Sequence, residues 1–193
     1  MQKYSLSPSI IYRAYSQGYF PLPEKNSNKI NWLKPNPRGI IPISDFHTSR
    51  SLKKIIRRKT FNITYNKNFE QVLLCCSQRK NSWINSQFQS LYLTMHQLEA
   101  CHSIEVWQEN ILVGGVFGIS FAGVFFANSM FYKVSNASKV ALYYLHKHLI
   151  ERKFILLECQ FLSEHLKQFG AVEITETDYI YLLKLGLQTK TVF

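Results

Sequence analysis

Glu158 and Gln160 stand two residues apart in FILLECQF, residues 154–161, an apolar run holding one carboxylate and one amide. In a strand, residues two apart share a face, so the pair is expected side by side with Cys159 turned the other way. A carboxylate in an apolar wall is costly unless it is hydrogen-bonded or paired. Such a group can orient an incoming amine and help to deprotonate it, while a neighbouring amide donates to an oxygen or aligns a backbone group. Acyl transfer needs those functions, with a polarised carbonyl and a pocket for the acyl side chain. Val116, Phe125, Met130, Leu142, Leu145 and Leu157 are apolar residues suited to line that pocket. An end-of-strand Glu that reaches water is the alternative left open by the octapeptide alone.

Other chemistries find less support. None of the six histidines lies in a nucleophile-elbow sequence. His146 and His148, two apart on an expected helix, fall on different faces, and no metal site is expected. Cys75, Cys76, Cys101 and Cys159 show no C-x-x-C spacing and read as small, reduced core residues. GGVFG at 114–118 lies in an apolar meander and is a strand feature, not a nucleotide fingerprint. Acetyl-CoA enzymes place a glycine-rich loop before the central helix to wrap the pyrophosphate. Here that position reads KVSNASK, residues 133–139, with no glycine, so the donor is expected to be something other than acetyl-CoA.

The charge balance, 23 Lys and Arg against 12 Asp and Glu, points to a polyanionic partner. It concentrates in TSRSLKKIIRRK, where Leu52, Ile55 and Ile56 share one helical face and Arg50, Lys53, Lys54, Arg57 and Arg58 occupy the others. From Phe46 to Phe69 there is no acid, and uncompensated cations three and four apart repel by a few tenths of a kcal/mol per pair. That cost favours a phosphate-binding face, and the donor is then one made of RNA. The uncharged stretch Ile111 to Ala127 approaches membrane-helix length. It holds four glycines among β-branched and aromatic residues, and two buried strands turning near 121–123 fit it better than a membrane helix. The opening MQKYSLSPSIIYRAYSQG lacks a signal-peptide apolar region, and a cytoplasmic, monomeric protein without a membrane partner is expected.

A chain of 193 residues, 46% hydrophobic, can bury a sizeable core. A short helix starts at Ser7-Pro8 and stops at Gly18. Pro21, Pro23, Pro35, Pro37 and Pro42 then forbid regular helix, and an ordered loop, including a polar stretch at 25–29, is expected before the basic helix. TFNITY reads as a strand, and helices follow from Asn68 and from Ser86. A meander runs from His102 to Phe126, and Ser135 to Ser138 opens the next helix. Strand 154–161, a short helix closed by Gly170, a strand AVEITE and a last helix complete the chain. The fold class is α+β, with a central mixed sheet flanked by helices. The expected division is a small N-terminal domain, 1–62, carrying the basic helix, and a domain at 63–193 whose element order resembles the acetyltransferase fold, in which adjacent strands splay to admit an acyl donor.

The stretches AYSQGYFPL, WLKPNPRGIIPISDFHTSRSLKK, SWI, HSIEVW, LVGGVFGIS, NSMF, NASKVAL, LECQ and LKQFGAVEI resemble the leucyl/phenylalanyl-tRNA–protein transferase family, in order, from about Leu6 to Tyr181. The resemblance implies an enzyme that moves Leu or Phe from aminoacyl-tRNA to the N-terminal Arg or Lys of an acceptor protein, and an apolar pocket of this make-up is expected to accept Met as well. That product is destined for N-degron degradation, and the reaction uses neither metal nor cofactor. The family's D-C-Q motif falls on Glu158, Cys159 and Gln160, and its E-S-M-F motif on Asn128, Ser129, Met130 and Phe131. Glu158, Gln160 and Asn128 are thereby implied as catalytic. Trp83, Ser129 and the six apolar residues are implied around the substrate, and Arg50, Lys53, Lys54, Arg57 and Arg58 on the tRNA. The chain departs from the family at Glu158 for Asp, Asn128 for Glu, Leu33 for a tryptophan and Leu22 for tryptophan or methionine. These departures leave a relative that binds charged tRNA or N-terminal peptides without transfer as the competing expectation.

Overall fold

The computed structural model describes residues 6–24 and 29–193. Residues 1–5, at the head of the segment read as lacking a signal sequence, and residues 25–28 of the expected polar loop lie outside them. Helix α1, Pro8–Tyr15, begins as its sequence dictates: Pro8 needs no N–H partner and the Ser7 hydroxyl accepts from Ile10 N at 3.4 Å. Gly18 follows at φ +83°, where a Cβ would also come within 3.1 Å of the Tyr179 ring.

The Pro-rich segment is not the ordered loop expected. It forms an antiparallel ribbon of β1, Phe20–Pro23, and β2, Ile30–Leu33, followed by β3, Arg38–Ile41. Proline excludes helix, yet a two-stranded ribbon leaves outward N–H positions where its missing donor costs nothing. The basic helix α2, Arg50–Arg57, is capped by Ser49. Next come β4, Asn62–Tyr65, α3, Phe69–Ser77, and α4, Ser86–Gln97, then the meander β5, Cys101–Gln108, β6, Ile111–Phe121, and β7, Val124–Tyr132. The uncharged stretch is thus two strands turning at 122–123, and no described helix is long and apolar enough to cross a membrane. Strand β7 runs past the expected Phe126, so Asn128 and Ser129 belong to the sheet. Helix α5, Ala137–Glu151, starts from Asn136 in a left-handed conformation without a side-chain cap. Strand β8, Leu156–Gln160, α6, Glu164–Lys167, β9, Val172–Ile174, and α7, Glu176–Gln188, complete the chain.

Seven strands form one mixed sheet in the order β4-β5-β6-β7-β8-β3-β9, antiparallel except for β7 beside β8. The α+β class with a central mixed sheet is as expected. Strand β3, from the N-terminal side of residue 62, lies between β8 and β9 from the far side. Successive sheet residues alternate between two cores, as a two-sided strand must. Ile40, Phe117, Phe126 and Leu156 pack with α1, α3, α4 and α7, whereas Ile41, Val116, Phe125 and Leu157 pack with α2 and α5.

Candidate active site

Pairing between β7 and β8 ends at Phe126 and Glu158, although β7 continues to Tyr132. Both strands are irregular where they part. On β7, Phe117 faces Ser129 and Gly118 faces Ala127, leaving Asn128 as the extra residue of a bulge. On β8, Gly39 faces Gln160 and Ile40 faces Glu158, leaving Cys159 as the extra residue. Gly39 makes room for that bulge: a Cβ there would lie 2.9 Å from Leu162 N and 3.2 Å from Cys159 Sγ. Gln160 adopts φ +64°, so the two-residue alternation expected to align it with Glu158 is interrupted.

Glu158 does not reach water. It is 1% exposed and meets a residue that the site expectations omitted, Arg38 of β3, itself 1% exposed. Arg38 Nη1 donates to Glu158 Oε1 at 3.0 Å, Nη2 donates to Gly18 O, and the guanidinium lies 4.3 Å from the Tyr179 ring centroid. The same Oε1 accepts from Gln160 N at 2.8 Å. Burial raises the Glu158 carboxyl above its ordinary range, while Arg38 and the Gln160 N–H pull it down. The signal for Arg38 was available in PNPRGIIPI, where a lone cation in an apolar strand mirrors the lone carboxylate of FILLECQF.

Asn128 is buried and fully engaged. Its Nδ2 donates to the hydroxyls of Tyr15 at 3.0 Å and Tyr92 at 3.2 Å, and its Oδ1 accepts from Ile119 N at 3.2 Å. Burial raises both phenols, which stay protonated at neutral pH. Ser129 is a neighbour of Cys76, whose thiol burial pushes up to about 12. Trp83 packs edge-on to Phe88 and Tyr92, with ring centroids 5.2 and 6.2 Å away. Arg79, also absent from the sequence expectations, donates to Met130 O at 2.6 Å and ties the α3–α4 loop to β7 beyond the divergence.

The expected pocket residues lie on the other side of the sheet. Val116, Phe125, Leu142, Leu145 and Leu157 are buried together between α5 and the sheet, with Met130 partly buried against them. Carboxylate and apolar cluster therefore occupy opposite faces, and the gap where β7 leaves β8 is where those faces meet. Burial pushes the Cys159 thiol up to about 12, which makes it a poor nucleophile at neutral pH. The arrangement suits direct attack of an amine on an activated acyl group. Arg50, Lys53, Lys54, Arg57 and Arg58 are all exposed, and none forms a salt bridge among the described residues. Leu52 anchors their helix in the α5 core, on the pocket side of the sheet.

Comparison with known proteins identifies the family. A family model described as leucyl/phenylalanyl-tRNA protein transferase matches residues 40–184, and that of the family's N-terminal domain matches residues 4–36. A leucyl/phenylalanyl-tRNA–protein transferase of Zymomonas mobilis is 44% identical over 189 residues, covering 95% of this chain and 70% of its own. One of Rhizorhabdus wittichii is 42% identical over 188 residues, covering 95% and 76%. Among solved structures, a ribosomal-protein-alanine N-acetyltransferase from Brucella melitensis aligns with a TM-score of 0.36 and 12% identity over 49% of this chain and 75% of its own, too slight a likeness to bear on the fold. The matched segments run in order through both bulged strands and the basic helix, and the chain belongs to the leucyl/phenylalanyl-tRNA protein transferase family.

Proposed function

We propose that this protein moves Leu or Phe, and more weakly Met, from aminoacyl-tRNA to the N-terminal Arg or Lys of an acceptor protein, marking it for N-degron degradation in the cytoplasm. The family match over 40–184, together with the convergence of Glu158, Gln160, Arg38 and Asn128 beside the β7–β8 gap, supports this reading. The acyl side chain enters the α5 cluster of Val116, Phe125, Met130, Leu142, Leu145 and Leu157. The acceptor amine forms a bond to the carbonyl carbon, the ester C–O bond breaks, and the tRNA hydroxyl leaves with the proton given up by the amine. Gln160 holds the reacting groups, and Glu158 supplies the negative charge beside them. Phosphates of the tRNA lie along α2. The protein acts as a monomer.

The test incubates the protein with a mixture of charged tRNAs and a panel of peptides starting with Arg, Lys or Asp, then measures product masses. Products heavier by one Leu or Phe on Arg- or Lys-starting peptides are expected. Retained tRNA binding without any transfer would mark a binder and overturn the enzymatic reading.

A further inference from the structure

We propose that Arg38 is a positioning residue for the transfer reaction: it holds Glu158, and Glu158 holds Gln160 in place at the end of β8. This rests on the function proposed above. Arg38 is 1% exposed and is held from four elements, although its Nε has no hydrogen-bond partner among the described residues. Gly18 O at the turn after α1 takes Nη2, Glu158 of β8 takes Nη1, Tyr179 of α7 packs on the guanidinium plane and Phe20 of β1 lies 5.6 Å from it. A lysine has no fork to bond in both directions and no plane to stack.

Glu158 passes that restraint on. Its Oε1 carries both the Arg38 and the Gln160 bonds, while Oε2 is buried with no hydrogen-bond partner among the described residues. The Gln160 bond spans Cys159, the bulged residue, and holds Gln160 at a positive φ where the β7 ladder has already ended. Without Arg38, one backbone N–H would be left to retain a buried carboxylate, and the bulge would lose its anchor. The ionisable groups facing Glu158 are Arg38 from β3, Tyr15 from α1, Tyr179 from α7 and Cys159 beside it. Arg38 is the cation in that set, so its loss removes the attraction that opposes burial.

Single-turnover transfer from charged tRNA to an Arg-starting peptide, from pH 6 to 9, tests this for wild type, Arg38→Gln, Arg38→Lys, Glu158→Gln and the double variant Arg38→Gln/Glu158→Gln. Hydrogen exchange of the Gln160 amide, read by NMR, accompanies it. Arg38→Gln is expected to transfer about 100-fold more slowly, the scale of a lost positioned group, with aminoacyl-tRNA affinity nearly unchanged. Its pH profile moves to higher pH, Arg38→Lys recovers part of the rate, and Gln160 exchanges faster by roughly tenfold or more. The double variant loses no more than the slower single variant, because both act on one group. Wild-type rate and pH profile in Arg38→Gln, unchanged Gln160 exchange, or a multiplied loss in the double variant overturns the proposal. If Arg38→Gln does not fold, Arg38→Lys decides: wild-type rate, pH profile and Gln160 exchange refute it, and a slower rate with faster Gln160 exchange supports it. A wild type that transfers nothing defeats the proposed function, whereas the Gln160 exchange comparison still decides the role of Arg38.

Discussion

The amide of Asn128 donates to the hydroxyl of Tyr15 at 3.0 Å, joining β7 to α1 across 113 residues of chain. With Tyr92 and Ile119 N also bonded, the Asn128 side chain ties α1, α4 and β6 to one bulge. The sequence places this residue among the catalytic groups by resemblance, and the structure adds a buried junction. Asn128→Leu should leave the Ile119 N–H unpaired and take a donor away from both phenols, costing about 2–4 kcal/mol, since an orphaned buried group is worth about 1–3 and a lost hydrogen bond about 1. Urea unfolding measures the loss, and a variant as stable as wild type would show that the junction contributes little.

His102 makes stability depend on acid. Asn66 Nδ2 donates to its Nδ1 at 3.0 Å, its Nε2 donates to Glu99 O at 3.0 Å, and its ring stacks on Phe193. Burial is the main cause holding its folded pKa down to about 4, against about 6.5 in the unfolded chain. The folded state thus binds fewer protons, so this contribution is fully present above about pH 6.5 and is lost as pH falls toward 4. The loss should reach about 2–3 kcal/mol. Urea midpoints at pH 7.5, 5.5 and 4.5 should fall less in His102→Gln, and parallel curves for the two proteins would exclude His102 as the source.

The exposed cations of α2 should act through phosphate alone. Reversing Arg57 and Arg58 to Glu is expected to weaken charged-tRNA binding steeply at low salt and to leave folding intact, because both side chains face solvent. Each lost phosphate contact should flatten the log affinity against log salt by roughly 0.7 to 0.9. Unchanged affinity, or wild-type binding insensitive to salt, would remove α2 from the tRNA face.

The apolar cluster under α5 should set which amino acid is carried. Leu145→Ala opens space within the cluster that holds Val116 and Phe125, and transfer of Phe relative to Leu should rise by about 10-fold or more, since a methylene-sized fit is worth about 1–3 kcal/mol. The same change costs about 2–5 kcal/mol of stability, so rates must be compared per folded molecule. An unaltered Phe-to-Leu ratio in kcat/KM would place the acyl side chain elsewhere.

Replacing Glu158 by Gln should slow transfer about 100-fold and also destabilise the fold by about 3–5 kcal/mol, because Arg38 is left buried without its counter-ion. Transfer per folded molecule separates these effects. Full activity in the folded fraction would make the carboxylate a purely structural partner of Arg38.

Local patterning was enough to determine the helices, the meander and the cationic face. Ser7-Pro8 and Ser49 cap the helices they precede, glycines and β-branched residues turn the uncharged stretch into β6 and β7, and Leu52, Ile55 and Ile56 leave the cations of α2 outward. Each of these follows from interactions within a few residues. The strands of the Pro-rich segment were hidden because four-residue strands carry no period long enough to read, and what stabilises β3 is its pairing with β8 and β9, 115 or more residues away in the chain. The same long reach decided the site. FILLECQF shows one carboxylate in an apolar strand, while Arg38 sits in the Pro-rich segment that reads as a loop; only the sheet order, which seats β3 beside β8, brings the two within 3.0 Å. Two bulges then set aside the alternation that sequence alone implies, since a single extra residue re-aims every side chain beyond it.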